Sequence, residues 1–588
     1  MFQHGLGVCR LLAICGKLNR IMAKGSFTFV LHGHLPYVLR HGVWPHGEDW
    51  LYEAAAETYL PILEMIGHCV LHGVEPKFTI GLTPVLLEQL AHEHFKDGFE
   101  KYLLDRIARA EQDLKEFEDL QNGHMAYLAQ QWAENFERLL NQFKALKRDI
   151  PAAYGSHARD GHIELLTSTA THAYLPLLFE DSSIRAQLRA GLASSHRILG
   201  YKPTGMWLPE CAYRPGGAWN CPIGWAGKPN RIGIEHLIAD ETINHFFVEN
   251  HLIEGSHSEQ LYNDGQWWKV DWNEGKKYVN RGWHSVHEPH LVNSDGTGLG
   301  RVAVFGRDPR VCEQVWSGSI GYPADGVYME FHKQWGEKRG LRYWKVTGKN
   351  VDLGEKHLYQ PDETEHHLHQ HAQHFAKMVH DRINEYHHKT GRHAHVVATF
   401  DAELFGHWWF EGPRFLRDVI MTLNADPDVE LKCTDQMLED NPPDKVVSMP
   451  EGSWGEEGDH RVWTNDKVNW MWDIEYRCEA NFGKATTDLP WRTNPQIEDL
   501  LKKAGRELFL LQASDWQFII TRGQAIDYGI KRFMQHVSRF ETLLALSEKL
   551  AEDTEYLGKL NEVEKFEVED AGIHDIIFNE IELDWWKM

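Results

Sequence analysis

Apolar and β-branched residues fall in short runs along the chain, and each run ends at polar or charged residues. Seven stand out: FTFVLH at 27–32, KFTIGLT at 77–83, IELLTS at 163–168, GMWLPE at 205–210, HLIADE at 236–241, RVAVFGRD at 301–308 and HVVATFDAE at 395–403. Near-continuous apolar runs of this length predict strands covered on both faces, as in a parallel sheet. Helical patterns separate several of them, as at 53–72 and 183–198. Alternation of strand and helix predicts an α/β fold. Reactive side chains gathered at the strand ends fit a barrel that carries its chemistry on the C-terminal rim.

Two stretches depart from this rhythm. Residues 95–150 carry dense charge on a helical period, which predicts a helical subdomain inserted between the second and third strands. Residues 495–570 are again helical and rich in Leu, Lys and Glu, beyond a boundary near NPPD at 441–444 and the loop-like 449–470. The expected plan is a peripheral extension at 1–24, a barrel from 25–94 and 162–435, a helical insert at 95–161, and a helical domain at 436–588 that contributes to a substrate cleft. At the start, GLGVCRLLAIC (5–15) resembles a signal core, but Arg10 interrupts it, Lys17 and Arg20 follow, and no A-x-A pattern is present. Met22 is the natural start, and the cytoplasm the expected location.

Composition narrows the functional classes. A length of 588 residues exceeds the ~100–200 typical of one domain. A net charge of −25 argues against a protein that coats nucleic acid or an anionic membrane. No run of 18 apolar residues predicts a membrane span. Eight cysteines, at 9, 15, 69, 211, 221, 312, 433 and 478, form no C-x-x-C and predict free thiols. The 23 tryptophans raise the question of what planar or ring-shaped ligand they stack on.

The candidate chemistry lies at strand ends. Glu210 closes GMWLPE and Asp401 follows HVVATF, with Trp207, Trp408 and Trp409 nearby. A retaining glycosidase needs two such carboxyls, one nucleophile and one general acid/base. A capping or ion-paired carboxylate is the commoner role for any one of them; the same arrangement at two strand ends favours catalysis. His32 and His34 in HGHLPY, with His172 in TATHAY, end two further strands. H-x-H with a distant His and an acid is a weak metal pattern among 37 histidines. Hydrogen bonding to a ligand is preferred, with no metal and no cofactor. His367, His371 and His374 share a helix face in ETEHHLHQHAQHF (363–375), read as a solvated face. P-loop, dinucleotide-binding and nucleophile-elbow motifs are absent. Trp454 and Trp463 stand among Gly, Glu, Asp and Asn, a setting suited to pyranose faces and hydroxyls, whereas Trp470 and Trp472 are read as packing.

HGHLPY, GMWLPECAY, TFDAELFGHWWFEGP, the GSWG…WTN stretch and QASDWQF together resemble glycoside hydrolase family 57, and within it the 1,4-α-glucan branching enzymes. The resemblance runs from about Lys24 to the C-terminal helices. It implies a (β/α)7 barrel with an inserted and a C-terminal helical domain. It also implies Glu210 as nucleophile and Asp401 as acid/base. Tyr262 then stands where a mobile loop's tyrosine favours transfer over hydrolysis, and Arg307, Trp316, Trp454, Asp515 and Gln524 match glucan-binding positions. Ala324 replaces the usual glycine of GYPADG, and 214–230 is longer than usual. The substrate implied is an α-glucan. α-Amylase or 4-α-glucanotransferase activity on the same scaffold, a non-catalytic glucan-binding protein and a metal-dependent hydrolase are the rivals.

Overall fold

In the computed structural model of the protein, residues 23–255, 257–263, 266–269, 284–336, 339–571 and 577–587 are described. All but the last two residues of the expected 1–24 extension lie outside them.

The apolar runs form strands where they were expected, with one exception. β1 is Gly25–Gly33, β2 Phe78–Leu82, β3 Ile163–Leu166 and β4 Gly205–Met206. A hairpin follows, β5 Gly217–Trp219 and β6 Lys228–Arg231, and then β7 His245–Val248. The exception is HLIADE, which lies in the helix Ile234–Asp240 and buries Ile234, Leu237 and Ile238. That i, i+3, i+4 spacing is a helical face. The strand expected there is the next apolar run, HFFV. The remaining strands are β8 His257–Asn263, β9 Gln266–Lys269, β10 His290–Val292, β11 Val302–Gly306, β12 Ala394–Asp401, β13 Val429–Leu431 and β14 Lys445–Ser448.

β1 runs parallel to β12, β2 and β13, and β2 runs parallel to β3. β4, β7 and β11 are likewise parallel neighbours. A parallel bridge between Thr167 and Met206 links β3 to β4. All nine residues of β1 are buried, as the unbroken apolar run requires. The register sets His32 beside Asp401 across β1 and β12.

The predicted insert is the helical hairpin Glu93–Asp119 and Gly123–Ala145, followed by Ile150–Arg159. Asn122 and Asp149 cap the second and third helices by accepting from Met125 N and Ala152 N. Beyond 468 come the helices Asn469–Asp488, Pro495–Leu511, Asp515–Arg522 and Ile526–Glu552. Buried Arg532 ties the last of these to the segment after β1, donating to Tyr37 O at 2.6 Å. The long 214–230 stretch is the β5–β6 hairpin and its turn. Its Trp225 donates to Asp473 Oδ1 at 3.0 Å and packs on Tyr476, so it braces the helix Asn469–Asp488. The histidine face at 363–375 is only partly solvated: His371 and His374 meet the hydroxyls of Tyr328 and Tyr322 at 2.6 Å each. Among the described residues, six cysteines are free thiols, and no helix is long and apolar enough to cross a membrane.

Candidate active site

A cleft of about 720 Å³ opens where β1, β4, β11 and β12 end. Eleven of the expected site residues line it: Glu210 and Asp401, the histidines 32, 34 and 172, and Arg307, Trp316, Trp454, Trp463, Asp515 and Gln524. They arrive from places nearly 500 residues apart in sequence.

Beyond β4 the chain runs through Trp207 and Leu208 to Pro209 and turns sharply at Glu210. Glu210 has φ 59° and ψ 23°, and Cys211 also has positive φ. This left-handed backbone is disfavoured for both residue types and is held by its surroundings. Trp454 grips Glu210 twice: its N–H donates to Glu210 O at 3.0 Å, and its Nε1–H to Oε2 at 2.7 Å. His172, also at positive φ, brings Nδ1 to 3.9 Å from Glu210 Oε1.

Stacked rings form the cleft floor. His32 lies over Trp207 with centroids 4.9 Å apart, and His34 over His172 at 4.0 Å. His32 Nε2 is 3.0 Å from His172 Nε2, and His172 Nδ1 is 3.0 Å from Ser514 Oγ. His34 Nε2 meets both oxygens of Asp515 at 3.0 Å, and its Nδ1 is 2.9 Å from Thr83 Oγ1. Asp515 opens the helix Asp515–Arg522, so the C-terminal helices complete the floor laid by the sheet. Burial drives His32 and His172 well below the usual imidazole range and keeps them neutral. Burial opposes charge on His34 too, but Asp515, with Glu403 and Glu210 beyond it, outweighs burial and raises its pKa.

His34, His172 and Asp515 each offer a ligand atom, all within 4.8 Å of one another. The spacing would admit a metal ion. The donor set fits one less well, because each of these side chains already engages another: His34 with Asp515, His172 with His32 and Ser514.

The carboxyls differ in electrostatics. Burial, with Asp515 adding to it against the Trp454 hydrogen bond, pushes Glu210 up to about 7. Burial, then the charges of Glu403 and Glu210, raise Asp401 well above the usual range, with Arg307 opposing. Both carboxyls are thus raised, by burial first and then by neighbouring acids, Asp515 for Glu210 and Glu403 with Glu210 for Asp401. Trp454→Phe removes a donor that favours ionised Glu210. A hydrogen bond to a charged group at the low end of its range is worth about one pKa unit. The acid limb of the kcat/KM–pH profile should therefore move up by about one unit, and an unmoved limb would contradict this role of Trp454.

Some expectations need correction. Trp463 touches the cleft but is only 1% exposed, stacked on Tyr174 at 4.4 Å. Its polar neighbours in sequence are not its neighbours in space, so it is largely a core ring and offers little face to a sugar. Trp316 and Trp408 are the open rings, 49% and 51% exposed. Trp316 lies near-parallel to Trp454 at 6.4 Å, and Trp408 lies on Phe331 at 4.3 Å. Ala324 is not in the cleft wall: it ends the turn Tyr322–Ala324, which packs through Tyr322 on His371. Tyr262 does not sit in an irregular loop. Its backbone belongs to β8, paired with β14 and with β9, where Tyr262 faces Trp267 in register. Residues 256, 264, 265 and 270–283 of that region lie outside the described ones.

Glu403 was missed. Its Oε1 accepts from His34 N at 3.1 Å and from the Tyr59 hydroxyl. The available signal was its position two residues after Asp401, in the same strand end.

Two carboxyls facing one aromatic-lined cleft of a mixed α/β fold are features of a glycoside hydrolase. The chain belongs to glycosyl hydrolase family 57, whose model matches residues 28–450. A second model, the C-terminal part of 1,4-α-glucan branching enzymes, matches residues 476–586. The chain is 39% identical to the 1,4-α-glucan branching enzyme of Thermococcus kodakarensis over 525 residues, 88% of this chain and 73% of that enzyme. Its crystal structure with glucose superposes with a TM-score of 0.84 at 36% identity, covering 96% of each chain. The family 57 branching enzyme of Pyrococcus horikoshii gives 0.83, also at 36% identity, over 96% of this chain and 97% of that one. The α-amylase AmyC of Thermotoga maritima gives 0.77 at 26% identity, over 96% and 99%.

Proposed function

We propose that this protein is a 1,4-α-glucan branching enzyme acting on amylose- or glycogen-type chains, in the cytoplasm, in glycogen synthesis. One observation carries the reading. The segment matching the branching-enzyme C-terminal model places Asp515 on His34, in the same cleft as Glu210 and Asp401.

In the proposed reaction, the Glu210 carboxylate attacks the anomeric carbon of an α-1,4-linked residue. Asp401 gives its proton to the departing glycosidic oxygen, which becomes the 4-hydroxyl of the released chain. The glycosyl ester on Glu210 is then attacked by a 6-hydroxyl of an acceptor glucan, and its proton passes to Asp401. Two inversions retain the α configuration. Trp454 positions Glu210 from both backbone and ring. His32 Nδ1, at the cleft floor and without a hydrogen-bond partner among the described residues, suits a polyhydroxyl ligand.

The architecture behind this is a (β/α)7 barrel of β1, β2, β3, β4, β7, β11 and β12 with its boundaries at 25–94 and 162–435. The Thr167–Met206 bridge and the hydrogen bond from Asp308 N to Val397 O, 3.0 Å, support closure. The 95–161 insert and the helical 436–588 complete the plan. In this reading Tyr262 closes over the Glu210 site and keeps water from the glycosyl ester.

The likeness to AmyC favours one second reading, hydrolysis on the same site. Amylose treated with the protein separates the two. Branching lowers the iodine colour without raising reducing ends, whereas an α-amylase raises them in step with the colour loss. Dialysis against EDTA tests the metal alternative: activity should be unchanged, and loss restored by a divalent cation would make the His34–His172–Asp515 cluster a metal site.

A further inference from the structure

A second cavity, of about 400 Å³, lies outside the catalytic cleft between the inserted helix Gly123–Ala145 and the helices Leu60–Leu71 and Gly412–Asn424. Its inner wall is apolar: Met65, Leu128, Trp132, Phe136, Met329 and Phe410. Gln131, Asn135 and the arginines 138, 414 and 417 edge it, and a fourth arginine, buried Arg342, stands at its inner end.

Every one of those arginines is already matched. Arg138 pairs with Glu64, Arg342 with Glu57, Arg414 with Glu365 and Arg417 with Asp418. No uncompensated cation is left to select an anion, in a chain of net charge −25. An apolar ligand would leave the ring of donors and acceptors unused. An apolar-floored cavity edged by paired charges and amides fits a neutral polyhydroxyl chain, whose ring faces are apolar and whose edges hydrogen-bond.

The cavity also adjoins the catalytic cleft. Between them lies a constriction of about 50 Å³. It shares Glu57, Trp132, Phe136 and Arg342 with the outer cavity, and Glu53, Phe331 and His407 with the cleft. Arg342 holds this partition together. It donates to Glu57 Oε1 at 2.8 Å and to His407 O at 3.1 Å, and its carbonyl accepts from Trp132 Nε1 at 2.7 Å.

We propose that this cavity is a second α-glucan site, which holds a stretch of polymer beside the cleft while a neighbouring stretch is cut or extended. The proposal rests on the glucan reading above. Anchoring a polymer at two points makes the second contact intramolecular and raises the local concentration of chain at the catalytic site.

Hydrogen exchange by mass spectrometry on full-length Glu210→Gln, which cannot consume its ligand, tests it with saturating maltoheptaose. Exchange should slow several-fold in peptides from 128–139 and 410–417, as well as around His34 and Trp454. Gln131 is exposed on the cavity rim, so Gln131→Trp in the same background should fold normally and block the mouth. It should abolish the slowing at 128–139 and 410–417 and leave the cleft peptides protected. Protection confined to the cleft, or protection of 128–139 that survives Gln131→Trp, would overturn the second site alone. No protection in either region would overturn the glucan reading with it.

Discussion

Glu210→Gln and Asp401→Asn should each abolish branching of amylose while leaving the protein folded. For Asp401→Asn the expected loss in kcat is about 10²–10⁴-fold, the range for a positioned general acid/base. For Glu210→Gln it is at least about 10³-fold, because an amide cannot form the glycosyl ester. Both residues are partly exposed at the cleft and raised in pKa, and neither anchors the fold through an ion pair with Lys or Arg among the described residues, so the isosteric amides should leave the fold intact. Their effects should also separate. A good leaving group on the donor needs no protonation, so an activated aryl maltoside should restore the first step in Asp401→Asn but not in Glu210→Gln. Near-normal branching by either variant would remove the assignment. Equal behaviour of the two with the activated donor would remove the division of roles.

Much of this site was legible in the sequence because strand ends are legible. The β1 and β12 runs are apolar without interruption, so their ends, and the polar residues just past them, could be placed from pattern alone. The parallel register then sets His32 beside Asp401. What the pattern could not supply was distance in space. HLIADE is as apolar as a strand, and only its i, i+3, i+4 spacing marks it as the helix Ile234–Asp240. Trp463 has polar neighbours in sequence, yet Tyr174, nearly 300 residues earlier, covers its face. Asp515 and Gln524 were reached only through the family resemblance, since no local signal says that a C-terminal helix turns back to a histidine near residue 34. Ala324 came from the same source, and the turn that it ends packs through Tyr322 on the helix Pro361–Thr390 instead. Glu403 was overlooked because Asp401, two residues before it, seemed to exhaust that strand end.

Tyr262→Ala should lower branching far more than hydrolysis. The nucleophile and acid remain, so the glycosyl ester still forms, but water reaches it. Transfer depends on holding an acceptor in attack geometry and excluding solvent, two effects that together supply several kcal/mol. A shift in the ratio of transfer to hydrolysis of about tenfold or more is expected, read as reducing ends released per α-1,6 link formed. The β8–β9 hairpin that carries Tyr262 is anchored on β14. The expected closure would therefore be a movement of a hairpin about an anchored strand, not the ordering of an irregular loop. An unchanged ratio with both rates reduced would assign the hairpin to donor binding alone.

Transfer to a 6-hydroxyl is decided by following α-1,6 and reducing-end anomeric protons by NMR while the wild-type protein acts on debranched amylose, then treating the product with isoamylase. New α-1,6 signals should grow while reducing ends stay constant, and isoamylase should release a set of chains shorter than the starting amylose. Reducing ends that rise without α-1,6 signals, or a product that isoamylase leaves unchanged, would contradict it.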